Sequence, residues 1–192
     1  MKVVLAIAGV LLLFYGLRGS MHRSNPPGVV VPEEPSQSAT VERTWDKKGY
    51  TITALARFQM RGLVVSTERY WFDPGAALSP VDFVLAWGPL SDEAALEQFG
   101  FSQGGRWFRY SPRGQAPSAE LMSHLANMHM IPANDQVEKE LKSVASRDIV
   151  SLSGYLVQVN GANGFKWRSS LTRTDTGAGA CELIWVEEIS RR

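Results

Sequence analysis

Asp148-Ile149-Val150-Ser151-Leu152-Ser153-Gly154-Tyr155-Leu156-Val157-Gln158-Val159, then Asn160-Gly161-Ala162-Asn163-Gly164, then Phe165-Lys166-Trp167-Arg168 decides the fold class. The first run is rich in β-branched and apolar residues around Gly154, the second is turn chemistry, and the third is short enough to pair back on the first. A last strand is expected from Cys181 to about Ile189, after the glycine-rich run Thr176-Gly177-Ala178-Gly179-Ala180. The C-terminal third therefore reads as a three-stranded antiparallel unit.

Working backwards, Asn134 is placed to cap a helix from Asp135 to about Val144, with Val137, Leu141 and Val144 on one face. A second helix is expected over Ser118 to about Met128, broken at Pro132. Arg106-Trp107-Phe108-Arg109-Tyr110 alternates basic and aromatic side chains, as an edge strand would. Ser91 opens a helix from Asp92 to Phe99 with Gly100 as its C-cap, and Ser79-Pro80 caps a short helix through Trp87. Tyr50 to Phe58, Gly62 to Ser66 and Tyr70-Trp71-Phe72 read as a hairpin or meander closed by Asp73-Pro74-Gly75. The expected fold is α+β, a curved antiparallel sheet or small, partly open β-barrel of OB or SH3 style with short helices inserted.

Ahead of this body, Met1 and Lys2 precede fifteen uncharged, mostly apolar residues, Val3 to Leu17, ended by Arg18. A basic start before an apolar core is an export signal, and Leu17 and Arg18 spoil the small-x-small cleavage pattern, so residues 1–18 are expected to stay as a membrane anchor behind an N-terminal hydrophobic helix. Fifteen helical residues span about 22 Å against a hydrocarbon core of roughly 30 Å, which snorkelling of Arg18 and local thinning would have to accommodate. Residues 19–40 hold Pro26, Pro27, Pro32 and Pro35 and read as an extended spacer, leaving 41–192 as a single soluble domain. The expected location is the inner membrane, crossed once, with the domain in the periplasm.

Composition narrows the function classes. Apolar residues make up 44 % and charged ones 20 %, which is the profile of a packed domain and not of a disordered chain. Twenty basic against nineteen acidic side chains give a net charge of +1, so no electrostatic pull draws a polyanion and nucleic acid is not an expected partner. The single cysteine, Cys181, cannot form an internal disulfide. No C-x-x-C, H-E-x-x-H, dinucleotide or P-loop pattern occurs, and no cofactor is expected.

Three sets of side chains carry chemistry. Cys181 with His124 or His129 as base, and Asp175 beside it, would supply a thiol nucleophile for acyl transfer, the glycines 177 and 179 letting backbone N–H groups approach an oxyanion. The plain alternative is a buried strand cysteine. Met128 and His129, within a segment of two histidines and three methionines, would suit a soft metal such as Cu(I), or else are core residues. Trp107 with Arg106 and Arg109, and Trp167 with Lys166 and Arg168, would make a stacking and cationic surface, or else strands with aromatic faces inward.

Ala56-Arg57-Phe58, Trp87-Gly88-Pro89-Leu90-Ser91-Asp92, Asn127-Met128-His129-Met130-Ile131-Pro132-Ala133, and Ser169-Ser170-Leu171-Thr172-Arg173 ahead of Asp175-Thr176-Gly177-Ala178-Gly179-Ala180-Cys181-Glu182 resemble a family of uncharacterised bacterial proteins. The resemblance spans nearly all of the soluble part. It implies an N-terminal hydrophobic segment and a domain of unassigned activity, and transfers no functional residue. The resulting expectation is a membrane-tethered, noncatalytic cell-envelope domain that binds or scaffolds an envelope protein or a glycan. A thiol-dependent hydrolase using Cys181, and a copper binder around Met128 and His129, are the alternatives.

Overall fold

The computed structural model describes residues 25–172 and 179–192, with Asn163 described by its backbone only. The anchor expected over 1–18, the first part of the spacer and Asp175 lie outside these residues. The strands are β1 (Ser36–Ser38), β2 (Thr44–Lys47), β3 (Tyr50–Arg69), β4 (Val81–Ala86), β5 (Phe99–Gly104), β6 (Trp107–Pro112), β7 (Leu125–Pro132), β8 (Ile149–Asn160), β9 (Lys166–Arg168) and β10 (Glu182–Arg191). Three short helices are inserted, α1 (Glu93–Leu96), α2 (Ala119–Met122) and α3 (Asp135–Ser143). The class is α+β with the sheet dominant.

The long strand β3 organises the sheet. It pairs with β8 from Thr51 to Leu63 and with β4 from Leu63 to Arg69, while β1 and β2 add to it as well. From β4 the sheet continues through β7 and β10 back to β8, so it curls into an uneven ring of β3, β4, β7, β10 and β8. Every pairing is antiparallel except β7 with β10. Inside the ring, Phe58, Met60, Phe83, Leu85, Met128, Met130, Leu156 and Ile184 form the main core. Outside it, Ile52, Tyr155, Val157, Leu183 and Trp185 form a second layer under Trp45 and Trp167. Trp45 stacks on Trp185 at 4.9 Å.

These two layers explain where the expected elements change. Val81 to Ala86 is a strand, not a short helix: all six residues are buried and all but Asp82 are apolar, so little alternation marks it. The helix expected over Ser118–Met128 stops at Met122, and Leu125–Pro132 is a strand whose last six residues are also buried. Gly100 lies within β5 and caps no helix. Tyr50 to Arg69 is one strand and not a hairpin, because Gly62 is a crowded strand position where an added Cβ would meet Met60 Cε at 2.9 Å and Leu85 Cβ at 3.2 Å. The C-terminal unit has the expected form, with β8 pairing β9 on one side and β10 on the other. The cap of α3 does too, Asn134 Oδ1 accepting from Val137 N at 3.0 Å.

From Asn25 on, the stretch read as a spacer lies against the domain. Val31 is wholly buried in the main core, Trp87 Nε1 donates to Glu34 Oε2 at 2.7 Å, and Asn25 Nδ2 donates to Arg147 O at 2.9 Å. Among the described residues, no helix is long and apolar enough to cross a membrane.

Candidate functional site

Strand register assembles a polar cluster on the outer face of β4 and β7. Asp82 of β4 sits directly opposite His129 of β7, and His129 lies beside Leu183 of β10, two residues beyond Cys181. Alternation along each strand sends Phe83, Met128 and Met130 into the ring and leaves Asp82, Asn127 and His129 on the other side. His129 Nδ1 is 2.8 Å from Asp82 Oδ2, and both side chains are almost wholly buried. Asn127 Nδ2 lies 3.7 Å from Cys181 Sγ, while Asn127 Oδ1 accepts from Gln103 Nε2 at 2.9 Å. Cys181 is held at the start of β10 by Ser170 N donating to its carbonyl at 3.1 Å and by Ser169 Oγ accepting from Leu183 N at 3.0 Å.

Arg106 ties the surrounding loops to this floor. It occupies the turn between β5 and β6, where Gly105 and Arg106 have φ of 59° and 70°. Two consecutive positive φ values are what a type I′ hairpin turn requires. Its Nη1 donates to Asp82 Oδ1 at 2.8 Å, and its Nη2 donates to both Asp73 oxygens at 3.0 Å and to Ser79 O at 2.8 Å. The guanidinium stacks on Tyr70 at 3.6 Å, and Arg106 N donates to the Tyr70 hydroxyl at 3.1 Å. The loop between β3 and β4 is thereby joined to the β5–β6 hairpin.

Above the floor is a recess of about 530 Å³, open to solvent. Asp73, Pro74 and Gly75 form one wall, Arg106 and Trp107 a second, and Phe165 to Arg168 a third, with His129 and Cys181 also among its lining residues. Trp167 packs over the His129 ring at 4.8 Å, and Gly75 passes so near Trp167 that an added Cβ would sit 3.0 Å from Cζ3.

The electrostatics of the floor favour a charged imidazole. Burial opposes the charge, but the Asp82 carboxylate 2.8 Å away and the nearby Cys181 sulfur outweigh it and raise the His129 pKa to about 9. At neutral pH the ring is therefore an imidazolium beside a half-buried thiol. Burial, with the Asp82 charge, pushes the Tyr70 hydroxyl well above its ordinary value, so it remains protonated.

Of the residues singled out in the sequence, Cys181, His129, Trp107, Trp167 and Arg168 meet at this recess. Arg109 is exposed further along β6 and is not part of its lining. His124 is elsewhere, its Nε2 3.0 Å from Glu34 Oε1 and its Nδ1 3.0 Å from Glu120 O. Five residues of extended chain separate it from His129, about 16 Å. Met128 and His129 point to opposite faces of β7, so they do not converge on one ion. Among the described residues, no three His, Cys, Asp or Glu side chains are grouped to hold a metal. Asp175 lies outside the described residues. Arg106, expected as part of a cationic surface with Trp107, instead lies with its guanidinium on Asp82 and Asp73, and Asp82, Asn127 and Asp73 were not anticipated. The signal available for Asp82 was a single carboxylate inside the apolar run Val81 to Ala86, and for Asn127 the polar-apolar alternation through His129.

No protein-family model, curated protein or solved structure matches the chain. Function is therefore read from the site itself.

Proposed function

We propose that the protein is a thiol-dependent acyl hydrolase, with Cys181 as nucleophile, His129 as its acid and base, and Asp82 orienting His129. The observation that carries this is the contact of Asp82 Oδ2 with His129 Nδ1 at 2.8 Å, on a ring that also interacts with Cys181 at an open recess. The order carboxylate, imidazole, thiol is what nucleophilic catalysis on a carbonyl requires. The Cys181 thiolate attacks the carbonyl carbon, forming a C–S bond, and the Asn127 amide N–H is placed to steady negative charge beside the sulfur. Collapse expels the leaving group, which takes the proton from His129. Neutral His129 then accepts a proton from water as it attacks the thioester, releasing a carboxylic acid and restoring the thiol.

The strand order supports a ligand-holding role for the same place. In this reading β3, β4, β7, β8 and β10 are the five strands of an OB-type barrel, with α3 between the third and fourth. Such barrels take ligands over their second and third strands and the flanking loops, which here are β4, β7, the loop 70–80 and the described residues around β9. That analogy concerns the scaffold alone. It also favours a second reading, a noncatalytic binding domain using Trp107 and Trp167 as stacking surfaces for a glycan or an envelope protein. In either reading, the apolar run Val3 to Leu17 supports an inner-membrane tether with the domain in the periplasm.

The test is acylation of the full-length protein by p-nitrophenyl acetate, followed by intact mass and nitrophenol release. The expected result is one acetyl group on Cys181 followed by turnover, with both lost in Cys181→Ala and turnover reduced at least about 100-fold in His129→Gln. A folded protein that is never acylated at Cys181 overturns the hydrolase and leaves the binding domain.

A further inference from the structure

One wall of the recess is the strand β9, and that strand has an unused edge. Among the described residues β9 pairs with β8 alone. Ser169 N donates to Val157 O and Gly161 N donates to Phe165 O, each at 2.9 Å, which fixes 165, 167 and 169 as the positions bonded to β8. The N–H and C=O groups of Lys166 and Arg168 therefore point the other way, out of the sheet edge. Their side chains do not face the recess. Arg168 Nη1 donates to Gln158 Oε1 at 2.5 Å, on the side of the sheet opposite Trp167 and Val159. Yet both residues line the recess, so what they bring to it is backbone. The row ends at Cys181, because Ser170 N, next along the same edge, donates to Cys181 O at 3.1 Å. Arg168 and Ser170 are two strand residues apart, about 7 Å. Main-chain donors and acceptors that open into a recess and lead to a thiol are what an extended peptide completes as an added strand.

We propose that the acyl donor is an extended peptide, added as a strand along the free edge of β9 with one carbonyl carbon presented to Cys181. This rests on reading Cys181 as the nucleophile. It adds the substrate class, which the Cys181, His129 and Asp82 geometry does not supply. The main chain of the peptide bonds to Lys166 and Arg168, and every second side chain lies on the Trp167 face, within the recess that Trp107 and Phe165 also line. The bond broken is a peptide C–N bond. The amine leaves with a proton from His129, and water releases the acyl part from sulfur as a carboxylic acid.

Because Cys181 is the lone cysteine, its alkylation is a direct probe in the full-length protein. The reagent is acetyl-tetraalanine chloromethyl ketone, whose ketone stands in for the scissile carbonyl and whose CH2 bonds to Sγ as chloride leaves. A series with one backbone N-methyl group at each position in turn keeps the side chains and removes one donor at a time. In the folded protein, labelling relative to iodoacetamide is expected to slow about 5-fold at alternate positions only, the worth of one hydrogen bond. The urea-unfolded chain should show no alternation. Arg168→Pro deletes one edge N–H, breaks no bond to β8, and should slow the unmethylated reagent about 5-fold relative to iodoacetamide. Equal slowing at every position or at none, or an unchanged ratio in folded R168P, overturns the added strand while iodoacetamide labelling leaves Cys181 a nucleophile. Resistance of folded Cys181 to iodoacetamide and the peptide reagent alike overturns the nucleophile itself and this proposal with it.

Discussion

Asp82 is the residue on which the site's chemistry turns, because one wholly buried carboxylate serves two cations, Arg106 at Oδ1 and His129 at Oδ2. A buried charge is tolerable only when paired, so removing a partner costs more than the pair contributes. Arg106→Gln is accordingly expected to destabilise the protein by about 3 kcal/mol, read as a lower urea midpoint. A midpoint shift equivalent to under about 0.5 kcal/mol, the scatter of surface substitutions, would show that Asp82 does not depend on Arg106. His129 gives a pH signature of defined sign. Its folded pKa is raised to about 9, above the unfolded value near 6.5, so its contribution is complete below pH 6.5 and is lost as pH rises through about 9. Urea unfolding between pH 6 and 10 should show a decline of at most about 3 kcal/mol that His129→Gln removes. Equal slopes in the two proteins would mean that His129 carries no raised pKa.

At the scale of elements, the ring depends on places where strands approach more closely than side chains allow. Gly154 of β8 faces β10 at the register shift between Val186 and Glu188, and a Cβ there would lie 1.9 Å from Trp185 O. The obstruction is backbone and cannot swing aside. Gly154→Ala should therefore cost about 2 kcal/mol or more, seen in thermal melting, and a melting temperature unchanged within error would contradict the close approach. The β5–β6 hairpin is an element of another kind, a two-stranded excursion held to the ring by Arg106, by Asn127 and by the apolar group of Leu90, Phe99 and Phe101. Its turn supplies the guanidinium that completes the floor, so its placement is part of the site. The helices matter less for this purpose. Apart from α3 they are single turns that connect strands.

For the whole molecule, residues 25–192 contain the core, the recess and the segment around Val31 that packs against them. The tether is a separate question, and cell fractionation answers it: full-length protein should sediment with membranes and withstand a salt wash, while a chain lacking residues 1–24 should be released. Equal release of both would remove the anchor from the functional reading. Much of this organisation was legible from local pattern. The turn Asn160 to Gly164, the strands around it, the capped helix after Asn134 and the alternating edge strand β6 follow from spacing and turn residues, because period and caps are properties of neighbouring residues. The sheet-rich class was legible for the same reason. Strand β4 was not, since burial on both faces leaves an apolar run that reads equally well as helix, and β7 was missed although Asn127 to Met130 alternates polar and apolar. The site shared that obscurity. Cys181 and His129 could be named as candidates from their chemistry, and Arg106 as a cation beside Trp107, but Asp82 and Asn127 acquire meaning only from register. Which histidine meets Cys181 is decided by the parallel pairing of β7 with β10, and which carboxylate meets His129 by the antiparallel pairing of β4 with β7. Residue types and local propensities are written along the chain; distances between residues up to a hundred positions apart are set by which strands hydrogen-bond, and that is settled only when the sheet closes and its two apolar layers are buried together.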